Sequence, residues 1–267
     1  MSLLDVIGPV MVGPSSSHTA GACRLALLAR HALGAEPQRA RFTLHGSFAK
    51  TARGHGTDLA LVAGTLGAYP DDAMIPRAQD EAVARGLQVD FATADLGDVH
   101  PNSVRIVLEH VDAAAREAAA GVAGVGDARI VVTGSSLGGG LVRVFDVDGF
   151  RIDFSGSHPT LLIRHLDTPG VIARVARVIA DDDVNIATLV SARRKRGGDA
   201  MMSIEIDRPL TQPASAYLEH LRYVTWLREL PEVMQGPDAA LPTAEPVDMK
   251  GVSVDMKGVS ATAEETP

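Results

Sequence analysis

The sequence predicts an α+β protein of two domains, and three features carry that prediction. Its 267 residues suffice for two modest domains with extensions. Residues 158–236 read as strand, helix, strand, strand, helix, strand. Residues 1–157 mix helical and strand patterns and end in an Asp-Gly hairpin signal. The composition, 46% hydrophobic and 22% charged, suits a globular chain, but aromatics are only 4%. The cores must therefore be built from Val, Leu, Ile and Ala.

The elements follow in order. Residues 20–33 place Ala20, Cys23, Leu27, Leu28 and Ala32 at helical spacing, predicting a helix with one buried face. Arg41–His45 is a short strand. Residues 57–67 form a second helix, with Asp58 in its first turn and Gly67 near its end. A mixed stretch follows, then His100-Pro101-Asn102 ahead of a strand at 104–108. The Ala/Gly-rich run 113–126 reads either as a surface helix or as a flexible excursion. Residues 129–133 are a strand, and Gly134–Gly140 is a glycine-rich loop, a turn or a lid. Two strands then flank Asp148-Gly149.

In the second domain, strand 160–166 meets a turn at Asp167-Thr-Pro-Gly170, where Pro fixes φ and Gly permits positive φ. Val171, Val175, Val178 and Ile179 fall on one helical face. Strands are expected at 184–192 and 200–207, a helix over 214–229, and a short strand around Val233. Residues 237–267 hold almost no large apolar residues and repeat VDMKGVS in tandem, which predicts a disordered acidic tail.

Charge and cysteine usage narrow the function classes. A net charge of −8 argues against a nucleic-acid binder, which needs a basic face. One cysteine, Cys23, excludes an internal disulfide and cannot by itself carry an iron-sulfur cluster. The N-terminus has no basic-then-apolar leader pattern, and no stretch approaches the roughly 20 apolar residues of a membrane span. A cytoplasmic protein without membrane contact is the expectation.

The densest polar run is Gly13-Pro14-Ser15-Ser16-Ser17-His18-Thr19, just before the first helix. Serines there cap free backbone N–H groups, and a helix N-terminus with spare donors suits a carboxylate. A plain capping sequence is the bland alternative. His55 stands between Gly54 and Gly56, open to a ligand, and an imidazole suits a general base at neutral pH. An exposed loop histidine is the alternative. Lys50 and Arg53 offer positive charge or are ordinary surface residues, the better reading for Arg53; Asn102 offers a polar ligand within what is by default a turn; and Gly138, Gly139 and Gly140 allow a close backbone approach. No dinucleotide fingerprint, metal-ligand spacing or nucleophile elbow is present.

MVGPSSSHTAG, ARGHGTD, HPN and TGSSLGGG, in that order and followed by the βαββαβ pattern, resemble the beta chain of iron-sulfur-dependent bacterial L-serine dehydratase. The resemblance covers about residues 3–236. The first domain is also similar to the allosteric substrate-binding domain of some phosphoglycerate dehydrogenases. The second resembles an ACT domain, with Gly170 of DTPG and Asn185 of DVNIATL at its ligand positions.

The resemblance implies an L-serine ammonia-lyase active only with an alpha chain, which would ligate a 4Fe-4S cluster that this chain does not. It implies no pyridoxal phosphate. Ser15, Ser16, Ser17 and Thr19 would hold the substrate carboxylate, His55 would be the base with His18 as runner-up, and Lys50, Asn102 and Gly138–Gly140 would be secondary substrate contacts. Gly170 and Asn185 would bind a small amino acid or join two ACT domains as a homodimer. A stand-alone amino-acid-binding regulatory module, without catalysis, is the rival reading.

Overall fold

The computed structural model describes residues 11–52, 54–111 and 128–234. The expected Ala-rich excursion at 113–126, the repeat-bearing tail and Arg53 lie outside them. Ser16–Ala20 is a single π-helical turn. It runs directly into α1 (Gly21–Leu33), and β1 (Arg39–Leu44) and α2 (Gly46–Thr51) follow. Next come α3 (Thr57–Thr65), a short 3-10 turn, α4 (Ala78–Ala84) and β2 (Gln88–Thr93). Strands β3 (Ser103–His110), β4 (Ala128–Gly138), β5 (Leu141–Val147) and β6 (Phe150–Phe154) complete a six-stranded sheet in the order β2-β1-β3-β4-β5-β6. The β5–β6 hairpin turns on Asp148 and Gly149, both with positive φ, as an Asp-Gly turn demands.

The second sheet holds β7 (Thr160–Leu166), β8 (Ile186–Arg193), β9 (Asp199–Ile206) and β10 (Val224–Leu230), in the order β10-β7-β9-β8. Helices α5 (Val171–Asp181) and α6 (Gln212–Glu219) provide the crossovers. The βαββαβ expectation holds and the protein is α+β. Among the described residues no helix is long and apolar enough to cross a membrane.

Helix α1 departs from the expected one-sided burial. Eleven of its thirteen residues are buried, which makes it the centre of the first core and not a surface helix. It lies against β3, β4 and β5, α3 and β10. Its alanines let these neighbours approach closely, which is how a chain poor in aromatics fills its interior. Strands β7 and β9 of the second sheet are covered on both faces. Leu162 and Met201 face the first core, while Leu161, Ile163, Met202 and Ile204 pack with Val171, Val175 and Ile179 of α5. Covering both faces explains why TLLI and AMMSI lack the polar alternation of a half-exposed strand.

Three further sequence expectations fail. Residues 134–138 are strand, not loop: Gly134 pairs with Val104 and Val144. A side chain there would meet Leu25 Cδ2 at 2.6 Å and the Arg143 carbonyl oxygen at 2.8 Å, so this glycine serves close packing instead of a turn. Only the tip at 139–140 turns. The helix expected over 214–229 ends at Glu219, and Val224–Leu230 is a strand paired with β7. Leu218, Leu221, Val224 and Leu227 recur every third residue and imitate a helix, but the β-branched and aromatic Val224-Thr225-Trp226 run favours the sheet. Val233 is not in a strand. It is a buried residue whose N–H donates to the Gly156 carbonyl.

Candidate functional site

Strand register brings the separate motifs to one end of the six-stranded sheet. β1 and β3 are antiparallel with Leu44 opposite Val104, and β3 and β4 pair Ser103 with Ser135. The end of β1, the start of β3 and the end of β4 therefore coincide. His45 N–H donates to the Ser103 carbonyl (3.0 Å), and Ser136 N–H to the Asn102 carbonyl (2.9 Å). Gly21, where the π-turn becomes α1, lies against Ser136. GPSSSHT, HPN and the serines of TGSSLGGG thus meet there.

Within this end, His18 and His55 come together, with ring centroids 4.9 Å apart. Ser15 caps the π-turn: its Oγ accepts from His18 N–H at 3.2 Å, as expected of a serine at a helix start. His18 Nδ1 is 3.1 Å from Ser17 Oγ and 3.3 Å from Ser15 Oγ, and its Nε2 is 3.0 Å from Ser47 Oγ. Phe48 packs edge-on against the ring at 5.5 Å. Buried Thr19 donates its hydroxyl to the His55 carbonyl (3.1 Å), tying the GHG loop to the π-turn. Burial, and secondly the neighbouring His55 charge, lower the His18 pKa from its ordinary value.

The two imidazoles differ in access. Both nitrogens of His18 already meet serine hydroxyls, whereas His55 is exposed. Ser15, Ser16 and Ser17 are partly exposed, and Lys50 is exposed on α2, the helix that carries Ser47 and Phe48. Asn102 is partly buried, with its N–H donating to His100 Nδ1. Gly138–Gly140 form the β4–β5 hairpin tip. The Gly140 carbonyl accepts from Arg24 Nη1 at 2.7 Å, and no hydrogen bond or ring contact of His18 reaches them.

Cys23 does not fit a metal or cluster. It is fully buried one turn into α1, its Sγ donates to the Ala68 carbonyl, and burial pushes its thiol up to about 12. Among the described residues no group of three or more His, Cys, Asp or Glu is arranged to hold a metal ion.

In the second domain, Gly170 caps α5 beyond the end of β7, while Asn185 precedes β8. Leu166 lies level with Asp199 on β9, but Ile186 lies level with Ile206, beside Thr160. Gly170 and Asn185 therefore sit at opposite ends of α5, and a single chain does not bring them together.

Sequence reasoning passed over Ser47, His45 and His165. Ser47 gave no signal on its own, because only the fold sets it against His18. His45 Nδ1 accepts from Leu96 N–H at 3.2 Å and fixes the start of α2. His165 is 3% exposed just before the DTPG turn, and its buried Nε2 has no hydrogen-bond partner among the described residues. A cavity of about 1200 Å³ is lined by residues of the six-stranded sheet such as Arg105, Thr133 and Arg143, together with Arg164, Val190 and Arg194 of the second domain; neither His18 nor His55 lines it. Three of its six arginines form ion pairs: Arg143 with Asp153 at 2.6 Å, Arg164 with Asp199 at 2.9 Å, Arg129 with Glu109 at 3.3 Å.

Comparison with known proteins gives two family matches: "Serine dehydratase beta chain" over residues 2–90 and "ACT domain" over residues 160–214. The L-serine dehydratase beta chain of Peptoniphilus asaccharolyticus is 40% identical over 84% of this chain and 96% of that protein. A probable L-serine dehydratase beta chain of Bacillus subtilis is 39% identical over 78% of this chain and 87% of its own length. The D-3-phosphoglycerate dehydrogenase of Bacillus subtilis is 44% identical over 26% of this chain, which is 13% of that enzyme.

Proposed function

Because this chain belongs to the family of L-serine dehydratase beta chains, we propose that it is the beta subunit of an L-serine ammonia-lyase that forms pyruvate and ammonium. Its partner in this reading is an alpha chain that ligates a 4Fe-4S cluster, without pyridoxal phosphate. The observation that supports it most is the meeting of His18, His55 and the serine loop at one open sheet end. Cys23 is sealed in the core, so thiolates for a cluster have to come from outside these residues, in this reading from the alpha chain.

This chain's residues then bind and deprotonate. The Ser15–Ser17 hydroxyls and the spare N–H groups of the π-turn hold the substrate carboxylate. Lys50 adds positive charge, Asn102 addresses the amino group, and Gly138–Gly140 edge the site. His55 takes the α-proton: its ring is exposed, while His18 has both nitrogens engaged. The 3-hydroxyl then leaves as water, taking up the proton that His55 removed, and aminoacrylate remains. That tautomerises to an imine, which water hydrolyses to pyruvate and ammonium. At the ACT domain, the separation of Gly170 from Asn185 favours a ligand junction between two paired copies, with a small amino acid such as serine held there.

The test is anaerobic co-purification with a candidate cluster-bearing partner, followed by a pyruvate assay. The chain alone should be colourless and inactive; turnover without a partner overturns the two-chain scheme. In the complex, His55→Ala should lower kcat by about 10²- to 10⁴-fold, the usual worth of a general base, while assembly persists. Near-normal turnover removes His55 as base.

A further inference from the structure

We propose that Ser47 is a positioning residue that sets the tautomer of His18, so that the ring donates from Nδ1 to Ser15 and Ser17 and leaves a hydroxyl proton of that pair free for an anionic ligand. The inference rests on the proposed carboxylate role of that serine loop. Two bonds tie Ser47 itself, and two more fix His45 at the start of its helix. The Ser47 N–H donates to the Pro101 carbonyl at 2.8 Å. The adjacent α2 cap, His45, donates its N–H to the Ser103 carbonyl at 3.0 Å and receives Leu96 N–H on Nδ1 at 3.2 Å. The Ser47 carbonyl accepts from Thr51 Oγ1 at 2.9 Å. Ser47 Oγ is thereby held 3.0 Å from His18 Nε2, with Phe48 bracing the ring edge.

The proton count favours one direction. A serine hydroxyl has one proton and two lone pairs. His18 Nδ1 faces two hydroxyls, at 3.1 and 3.3 Å. If Nδ1 were the acceptor, it would draw on the one proton that each serine can donate. If Nδ1 carries the proton, a shared N–H serves both oxygens, a common three-centre arrangement. Ser15 Oγ already accepts His18 backbone N–H at 3.2 Å and has a second lone pair for the ring. The Ser47 hydroxyl then donates to Nε2, and a one-way chain runs from Ser47 through His18 to the serine loop. Ser15 Oγ and Ser17 Oγ lie 3.3 Å apart, so one hydroxyl proton bridges them and the other is left for a carboxylate to accept.

The tautomer is read by long-range ¹H–¹⁵N correlation on the histidine-labelled full chain, without any partner. His18 in the unmodified protein should be protonated at Nδ1, and Ser47→Ala should shift it toward Nε2 protonation, while Ser47→Thr retains the native pattern. In the complex with the cluster-bearing partner, Ser47→Ala should raise KM for L-serine about tenfold, the worth of one hydrogen bond to a charged acceptor, with kcat within about twofold. Nε2 protonation in the unmodified chain overturns the proposal, whether or not the variants fold. So does an unchanged KM in Ser47→Ala. A complex that forms no pyruvate while the Nδ1 pattern holds sinks the lyase reading and leaves the Ser47–His18 assignment standing.

Discussion

The two sheets treat their polar residues in opposite ways. In the six-stranded domain, motifs far apart in sequence converge because β1, β3 and β4 share an end and the π-turn lies against it. In the four-stranded domain, Gly170 and Asn185 are close in sequence, yet a whole strand length separates them. The helices differ in the same sense. Central α1 buries eleven of thirteen residues, while α5 buries three of eleven and leaves its outer face to solvent. The first domain assembles its cluster from within the chain and leaves it open at the surface. The second keeps Gly170 and Asn185 apart within one chain. Chemistry legible as adjacent letters is therefore no guide to adjacency in space.

The strongest way to break this comparison is to cut the tie between the regions. Arg24, 3% exposed on α1, donates Nη1 to the Gly140 carbonyl, Nε to that of Val233 (3.1 Å) and Nη2 to that of Met234 (2.8 Å). One guanidinium thus holds the hairpin tip and the segment after β10 to the helix that carries the serine loop. Arg24→Met strands three carbonyls and should cost about 3 kcal/mol in urea unfolding. Arg24→Lys should recover less than half of that, since a compact ammonium does not reproduce the planar fork. A loss below about 0.5 kcal/mol, the range of ordinary surface substitutions, would show that the two domains hold together without it.

How much was readable follows from which forces act locally. The Asp148-Gly149 turn and the DTPG turn were legible because positive φ and proline chemistry are written in a few letters. The βαββαβ order was legible from its periodicities. The end of α6 was not, because a three-residue spacing of Leu218, Leu221, Val224 and Leu227 fits both a helix and a strand that alternates after a bulge. At the site, His18 and His55 stood out by their neighbours, but Ser47 did not. Its contact with His18 exists only because α2 is pinned beside the π-turn. Gly134 was misread because sequence cannot tell a glycine that turns from one that makes room.

That ambiguity sets a sharper, smaller test. Gly134→Ala drives a methyl into the Arg143 carbonyl oxygen and Leu25, and backbone yields poorly; about 1–3 kcal/mol of stability should be lost. Gly170 has φ +86° but open space around its missing side chain, so Gly170→Ala pays for left-handed backbone alone, about 1 kcal/mol. Equal losses at the two positions would mean that the crowding at β4 relaxes freely.

The smallest expected effect separates the domains by pH. In the first, burial lowers the pKa of His18, with the His55 charge second, and lowers that of His31, with the Arg30 charge second. An imidazole held neutral in the folded state resists protonation that the unfolded chain accepts freely. Its stability contribution is therefore fully present above the ordinary value of 6.5 and is lost as pH falls through the depressed folded values. In the second domain the shifted groups are Asp167, held down by Gly197 N–H and Arg193, Asp182, held down by Thr211, and Asp199, held down by Arg164. Their contribution is present above the ordinary 3.8 and begins to fade only below it. Between pH 7.5 and 5.5 the melting temperature should thus fall modestly, and the fall should come from the first domain. His31→Gln should flatten it, while Asp182→Asn should leave its slope in that window unchanged. A melting temperature that stays level across the window in the unmodified protein would mean that neither His18 nor His31 is kept neutral by its surroundings.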